Sequence, residues 1–435
     1  MINQLSYNPL SKLNYNFYIY LIFCFLPISH ILGNTILNGN IILCGLILLF
    51  YSIKNQDWDW INNGLFKWLL VLYFYLILNS LYAIFFKIDH EHIYGGLIRS
   101  LGFIKYIIFT FSFYVILKLD IKFEKIIKFW FLIVLIVIVD IFFEKYFGKN
   151  LIGNVSPNHT RIVSFFKDEL VVGNFILSYG FIVFFYLISQ YNIKLTHKFY
   201  LNFFLFLILM AVLFSGERSN FIKSILITLL FVSFVSNEKL IIKKINFSLI
   251  VIFALLSTYF LNENVKKRYN EFYKRISISE KTGFDKLENI KYFSHYKVAY
   301  NIFKDNPILG VGNKNFRWDC HKTKYIDPDE KFNVQRCSTH PHQIHFEILS
   351  EHGLLGYILI ATLLIKYIFS KLRYMVKNDL IFEFSLAFVL LVFFTPFIPS
   401  GSLFSSYSGS FFWLILSILN YRLISLNKKK IIKNE

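Results

Sequence analysis

The sequence predicts an all-α polytopic membrane protein, and three observations carry that prediction. Apolar residues make up 56% of the 435 and charged residues only 17%, where a soluble domain holds about 45–50% and about 25%. Hydrophobic runs of about 20 residues recur along the chain, long enough to cross a hydrocarbon core roughly 30 Å thick. Strand-like alternation does not recur, so the backbone is satisfied within helices rather than in a barrel.

The runs give about twelve spans, at roughly 15–33, 36–53, 65–86, 97–117, 129–147, 170–190, 199–215, 220–236, 246–262, 347–370, 380–398 and 409–425. No small-residue cleavage site follows the first run, so it reads as a span rather than a removed leader. Neither an internal repeat nor a low-complexity linker divides the chain. It is expected to form one domain over 1–435, with a large polar loop at 263–346 between the ninth and tenth helices.

Orientation follows from the basic residues. Lys118, Lys122, Lys125 and Lys128 follow the fourth span, Lys194 and Lys198 the sixth, and Lys239, Lys243 and Lys244 the eighth. Lys371, Arg373 and Lys377 follow the tenth, and Arg422, Lys428, Lys429, Lys430 and Lys433 fill the tail. Both termini are therefore expected in the cytoplasm, with the large loop facing outward. The same short basic loops account for the net charge of +19, so the expected partner is the membrane and not nucleic acid.

Of the four cysteines, Cys24 and Cys44 fall inside apolar runs and read as packing residues. Cys320 and Cys337 lie in the polar loop, as a disulfide if that loop meets an oxidising compartment or otherwise as two thiols. Leu287, Ile290, Phe293, Tyr296, Tyr300 and Phe303 recur at helical spacing and predict an amphipathic helix lying along the membrane surface. Asn306-Pro307 ends it, and Gly310-Val311-Gly312 reads as a turn, with no strand before it to make a phosphate loop.

Two outward segments carry candidate binding groups. Arg161, Asp168 and Glu169 precede the sixth span, and Arg218 sits in the tight turn Ser215–Asn220. Arg218 reads as a snorkelling side chain, as a partner for Glu217, or as a fixed cation for a phosphate-bearing ligand.

The richest stretch is Thr339 to Gly356. It holds four of the chain's 11 histidines, His340, His342, His345 and His352, together with Glu347 and Glu351. Pro341 places a helix start near His342, so that His342, His345, Leu349 and His352 would share one face. Three readings compete: a metal site on His340, His342 and His345, histidines capping a helix, and general acid–base chemistry by a residue type whose unperturbed pKa is about 6.5.

His342-Gln343, followed after nine residues by Gly353 and after two more by Gly356, resembles the signature of the O-antigen ligases and the related O-antigen polymerases. The stretch Asn306-Pro307-Ile308-Leu309-Gly310-Val311-Gly312, the Arg218 turn and the span layout add to the resemblance, which covers mostly residues 215–400. It implies a bacterial inner-membrane glycosyltransferase working at its periplasmic face. The implied donor is a glycan on undecaprenyl diphosphate, with no cofactor and no metal. The acceptor is lipid A–core for a ligase, or another donor-linked unit for a polymerase.

His342 matches the family's base and Arg218 its first diphosphate arginine. A second such arginine is expected early in the large loop, at Arg268 or failing that Arg275. Gln343 stands where the family often has Asn. Arg161, Asp168, Glu169 and Arg317 are expected sugar or diphosphate contacts. The chemistry agrees with those residue types: fixed cations stabilise a departing diphosphate, and a base contributes roughly 10²–10⁴-fold by taking the acceptor proton. In-line attack would invert the anomeric carbon. A transporter or flippase is the reading from another class. It would call for charges in mid-span and paired broken helices, and Asp140 and Lys105 lie within spans without a second-half counterpart.

Overall fold

A computed structural model describes residues 9–87, 91–92, 94–157, 161–167, 171–190, 195–234, 266–267, 270, 274, 291–326 and 333–434. Among these residues all regular structure is helical. Seven helices are long and apolar enough to cross a membrane, at 34–55, 64–86, 95–118, 123–147, 172–190, 344–377 and 408–426. The chain is a helical membrane protein, and each of the seven overlaps an expected span.

The remaining spans differ in detail. The first is broken into α1 (Pro9–Cys24) and α2 (Leu26–Leu32), bent by 47°. Pro27 lies in the first turn of α2, where its missing N–H costs nothing. The seventh, eighth and eleventh appear as α11 (Leu195–Phe214), α12 (Arg218–Phe234) and α17 (Ile381–Val392), helices that are not among those seven. The expected ninth span, 246–262, lies outside the described residues, so twelve remains an expectation.

Between these run α3 (Asn34–Asn55), α4 (Gly64–Phe86), α5 (Gly95–Gly102), α6 (Ile104–Ser112), α7 (Tyr114–Lys118) and α8 (Phe123–Phe147). After α8 come α9 (Val172–Phe175) and α10 (Phe181–Gln190), joined through a π turn at Ile176–Gly180. Asn63 starts α4 by accepting the Leu65 N–H at 2.9 Å, and Gly148 in the left-handed region stops α8. Aromatic side chains fill the centre, with Trp130 and Trp413 fully buried and edge-to-face pairs such as Phe23–Phe113 at 4.8 Å.

The polar loop holds α13 (Lys291–Asp305) and α14 (Phe316–Asp319) and leads into α15 (Ile344–Leu364). α16 (Ser370–Lys377) and α18 (Ser408–Asn434) complete the chain. α13 departs from expectation. Its buried residues include His295, Tyr296, Val298, Ala299 and Ile302, and the last three form a second small core with Val311, Phe316, Cys320 and Tyr325. Tyr300, from the expected stripe, is exposed. Tyr296 keeps to the expected stripe and stacks on Phe346 of α15 at 5.1 Å, while Val298, Ala299 and Ile302 widen the inward face beyond it, and Leu287 and Ile290 lie outside the described residues.

α15 is interrupted at Gly353 (φ 60°, ψ −164°), a conformation essentially restricted to glycine. The turn after α13 docks into that break. Val311 N–H donates to Ser350 O at 3.0 Å, Gly312 N–H to Glu351 O at 2.8 Å, and Leu354 N–H to Pro307 O at 2.8 Å. Tyr75 of α4 donates to the freed His352 carbonyl, and Asn79 donates to Leu309 O at 2.6 Å. A break at membrane depth survives only where its backbone groups find such partners. The two glycine-bearing stretches noted in the sequence are therefore halves of one joint.

Candidate functional site

One end of the bundle encloses a cavity of about 530 Å³. The connections around Asn34, Arg161, Glu217–Lys223, His340–His342 and Pro399–Ser408 all meet there. These are the connections expected to face outward.

One wall is cationic. The chain leaves α11 through Ser215–Gly216–Glu217, so Arg218 is the first residue of α12 and lines the cavity with Ser219, Asn220 and Lys223. The Glu217 carboxylate accepts the Gly173 N–H at 2.7 Å and an amide hydrogen of Asn220. Burial pushes its carboxyl up to about 7, against the opposing pull of those hydrogen bonds and of Arg161.

Arg161 reaches the same cavity because its segment is clamped by α8. Asp140 accepts the Leu151 N–H and the Ser164 hydroxyl at 2.7 and 2.6 Å, and Glu144 accepts the Val163 and Ser164 N–H groups at 3.2 and 2.6 Å. The in-span Asp140 is thus a strut for a loop rather than part of a transport path.

His342 lines the same cavity. It precedes α15, in the left-handed region at φ 58°. The helix begins at Ile344, capped by the Gln343 side chain, which accepts the His345 and Phe346 N–H groups at 2.7 and 3.2 Å. The expected start near His342, with His342, His345, Leu349 and His352 on one face, is corrected accordingly. Gln343 is 1% exposed and is held by its own helix and by Thr395 O, and it does not line the cavity.

Several contacts orient His342, among them the following. Its carbonyl accepts the Ser400 N–H at 2.7 Å, its Nε2 shares a hydrogen bond with Ser338 Oγ at 3.0 Å, and its ring lies 4.3 Å from that of His340. Ser400 Oγ also accepts the Ile344 N–H at 2.9 Å, so the loop after α17 grips both sides of the histidine.

The other histidines separate by role. His340 lines the cavity, and burial lowers its pKa to about 4, which leaves it neutral at neutral pH. His345 turns elsewhere, with Nε2 at 2.7 Å from Phe394 O and Nδ1 at 3.0 Å from Tyr357 OH. His352 Nδ1 meets Asn79 Oδ1 at 3.2 Å beside the α15 break. The structure does not bring His340, His342 and His345 to a common point.

Beneath His342 lies a buried ionic knot. Lys314 pairs with Glu347 and donates to Ser402, and Glu347 also accepts the Leu403 N–H at 3.3 Å. Glu351 accepts the Lys314 and Phe316 N–H groups at 2.9 and 3.3 Å. The two acids of the histidine stretch therefore lash the polar loop and the Ser400–Leu403 segment to α15.

Arg317 does not line the cavity. It donates to Thr339 O at 3.2 Å, and burial followed by the neighbouring Arg99 charge holds its pKa below the ordinary arginine value. Arg268, Arg275, Asp168 and Glu169 lie outside the described residues. Cys320 and Cys337 are disulfide-bonded with Cα atoms 5.5 Å apart, inside the small core under α13.

Sequence reasoning missed Lys223 and the serine-rich loop Ser400–Ser408. A lysine inside the apolar run 220–236 carries a signal of its own, since ionisable residues in spans are costly to keep. The loop carries none, because serine hydroxyls that tie distant stretches of chain together leave no periodic trace in the sequence.

No curated protein matches the chain. Arg218, Lys223 and His342 line one cavity, and residues 203–361, which contain all three, match the family model described as O-antigen ligase, which supports the resemblance to the O-antigen ligase and polymerase superfamily.

Proposed function

We propose that this chain is an O-antigen ligase-type glycosyltransferase. It moves a glycan from undecaprenyl diphosphate to a hydroxyl of lipid A–core at the periplasmic face of the bacterial inner membrane. The observation that carries the reading is a single cavity lined both by Arg161, Arg218 and Lys223 and by His342.

In this mechanism His342 takes the acceptor hydroxyl proton as the acceptor oxygen attacks the anomeric carbon from the face opposite the diphosphate. The carbon–oxygen bond to the glycan-side phosphate breaks, the anomeric centre inverts, and undecaprenyl diphosphate departs with the electron pair. Arg218, a planar and permanently charged fork, meets the growing negative charge on that phosphate. The Ser338 hydroxyl and the Ser400 N–H hold the histidine in place while the proton moves, and neutral His340 adds no competing charge beside it. Neither a carboxylate nucleophile nor a metal is needed for these steps.

The test is the carrier-lipid and lipopolysaccharide profile of a deletion strain complemented with wild type, His342→Ala or Arg218→Ala. Loss of a ligase strands full-length polymer on the carrier lipid. Core bearing a single repeat unit would instead assign the polymerase reaction of the same superfamily. A ladder retained in either variant would remove the substituted residue from the mechanism. His342→Ala is expected to lower the transfer rate by roughly 10²–10⁴-fold with membrane insertion intact.

A further inference from the structure

The cationic wall continues inward past Arg218. Lys223 is 4% exposed and lines the cavity. Among the described residues its ammonium makes one hydrogen bond, to Pro399 O at 3.2 Å, and stands 6.0 Å over the Phe393 ring. No carboxylate among them lies within ion-pairing distance of 4.0 Å. Glu217 is near enough for its field to be felt, but its oxygens are bonded to Gly173 N and to Asn220.

A buried cation with no counter-ion costs several kcal/mol. An ammonium has three donors, and one carbonyl leaves it short of partners. A cavity wall that keeps such a group is built for an anion that arrives from outside. Lys223 lies five residues along α12 from Arg218, about 7.5 Å further down the axis at 1.5 Å per residue. Arg218 is part-buried at the head of α12, and Lys223 is buried further along that helix, the direction in which the expected span enters the membrane and a lipid tail would lie.

We infer that Lys223 binds the lipid-side phosphate of the donor diphosphate, while Arg218 holds the glycan-side phosphate whose bond is broken. The inference rests on the proposed lipid diphosphate donor. It divides the two cations by function. Negative charge develops on the glycan-side phosphate, so Arg218 acts on the transition state, whereas Lys223 binds ground state and transition state nearly alike.

The experiment uses full-length protein in nanodiscs, with Lys223→Met and Lys223→Arg beside wild type. Undecaprenyl diphosphate, undecaprenyl monophosphate and inorganic diphosphate are the probes. Without ligand, Lys223→Met is expected to melt at or above the wild-type temperature, because it removes an uncompensated charge. It should bind undecaprenyl diphosphate and undecaprenyl monophosphate alike at least ~10-fold more weakly, because the single phosphate of the monophosphate is the lipid-side one, whereas Arg218→Ala should lose affinity for the diphosphate and little for the monophosphate; Lys223→Arg should restore most of the binding. In transfer assays KM should rise with kcat changing little, the reverse of Arg218→Ala.

A Lys223→Met protein that melts well below wild type would overturn the proposal, since the bond to Pro399 would then be the reason for the lysine. Unchanged diphosphate affinity in that variant would overturn it and leave the donor reading standing. Inorganic diphosphate binding as tightly as the lipid form would overturn the lipid-side assignment. Failure of wild type to bind undecaprenyl diphosphate would instead overturn the donor reading itself.

Discussion

Replacing Gly353 by alanine puts a methyl group where the structure has none to spare. An added Cβ would stand 2.3 Å from Ile308 O and 2.6 Å from Leu309 N, both backbone atoms of the docked turn. The backbone at φ 60°, ψ −164° costs a non-glycine residue of order 1–3 kcal/mol. The turn must also retreat, which loosens the Leu354 N–H bond to Pro307 O and the Leu355 N–H bond to Ile308 O, worth about 1 kcal/mol each. The expected loss is about 3–5 kcal/mol.

The assay is thermal unfolding of the full chain in detergent, read by tryptophan fluorescence, with Gly39→Ala as the control. Gly39 lies inside α3, with nothing within 4 Å of an added Cβ. Alanine there should be neutral or stabilising by about 0.5–1 kcal/mol. If Gly353→Ala melts with wild type, the break is not the joint that holds the polar loop, and the account of how His342 is placed fails with it.

The remaining predictions address the charges and the bridge. Lys314→Met leaves Glu347, 0% exposed, without its cation and should cost about 3–5 kcal/mol, with most of it regained in Lys314→Met/Glu347→Met. Paired melts of single and double variants check this, and an additive double variant would refute the pair. Glu217 ionises near 4.5 in the unfolded chain and near 7 in the folded one. Its contribution to stability is therefore full below about pH 4.5 and is lost as pH rises to about 7. Glu217→Gln should flatten the melting temperature across that window, and an unchanged slope would refute the shift. Cys320→Ser opens a bridge of sequence separation 17, for which the chain-entropy model gives about 3 kcal/mol. Protease sensitivity of residues 291–343 should rise first, and an unaltered digest would show that the small core stands without the bond.

The helices were legible in the sequence because lipid allows a long apolar run few alternatives. The placements that matter for chemistry were less so. Arg218 was readable from a turn too short to hide a guanidinium, and His342 from its neighbours. That His342 stands outside α15 was not readable, because Gln343 caps the helix through its amide and a residue at φ 58° leaves no periodic trace. The inward face of α13 was read only in part: Tyr296 is buried as expected, but Tyr300 is exposed and Ala299 and Ile302 carry the rest of the contact. Glu347 and Glu351, which the sequence left without a role, are ties. Lys223 was passed over although a lysine in a span is the more unusual event.

The ties also define what can be exchanged between relatives. His342 hangs from three stretches far apart in the chain: the docked turn at Pro307–Lys314, the head of α15, and Ser400–Leu403. A chimaera that transplants the polar loop alone would set Glu347 and Ser400 against unfamiliar neighbours. Grafting 291–360 together with 395–410 moves a whole unit, and acceptor preference should travel with that pair of segments while the arginine turn of the recipient stays behind.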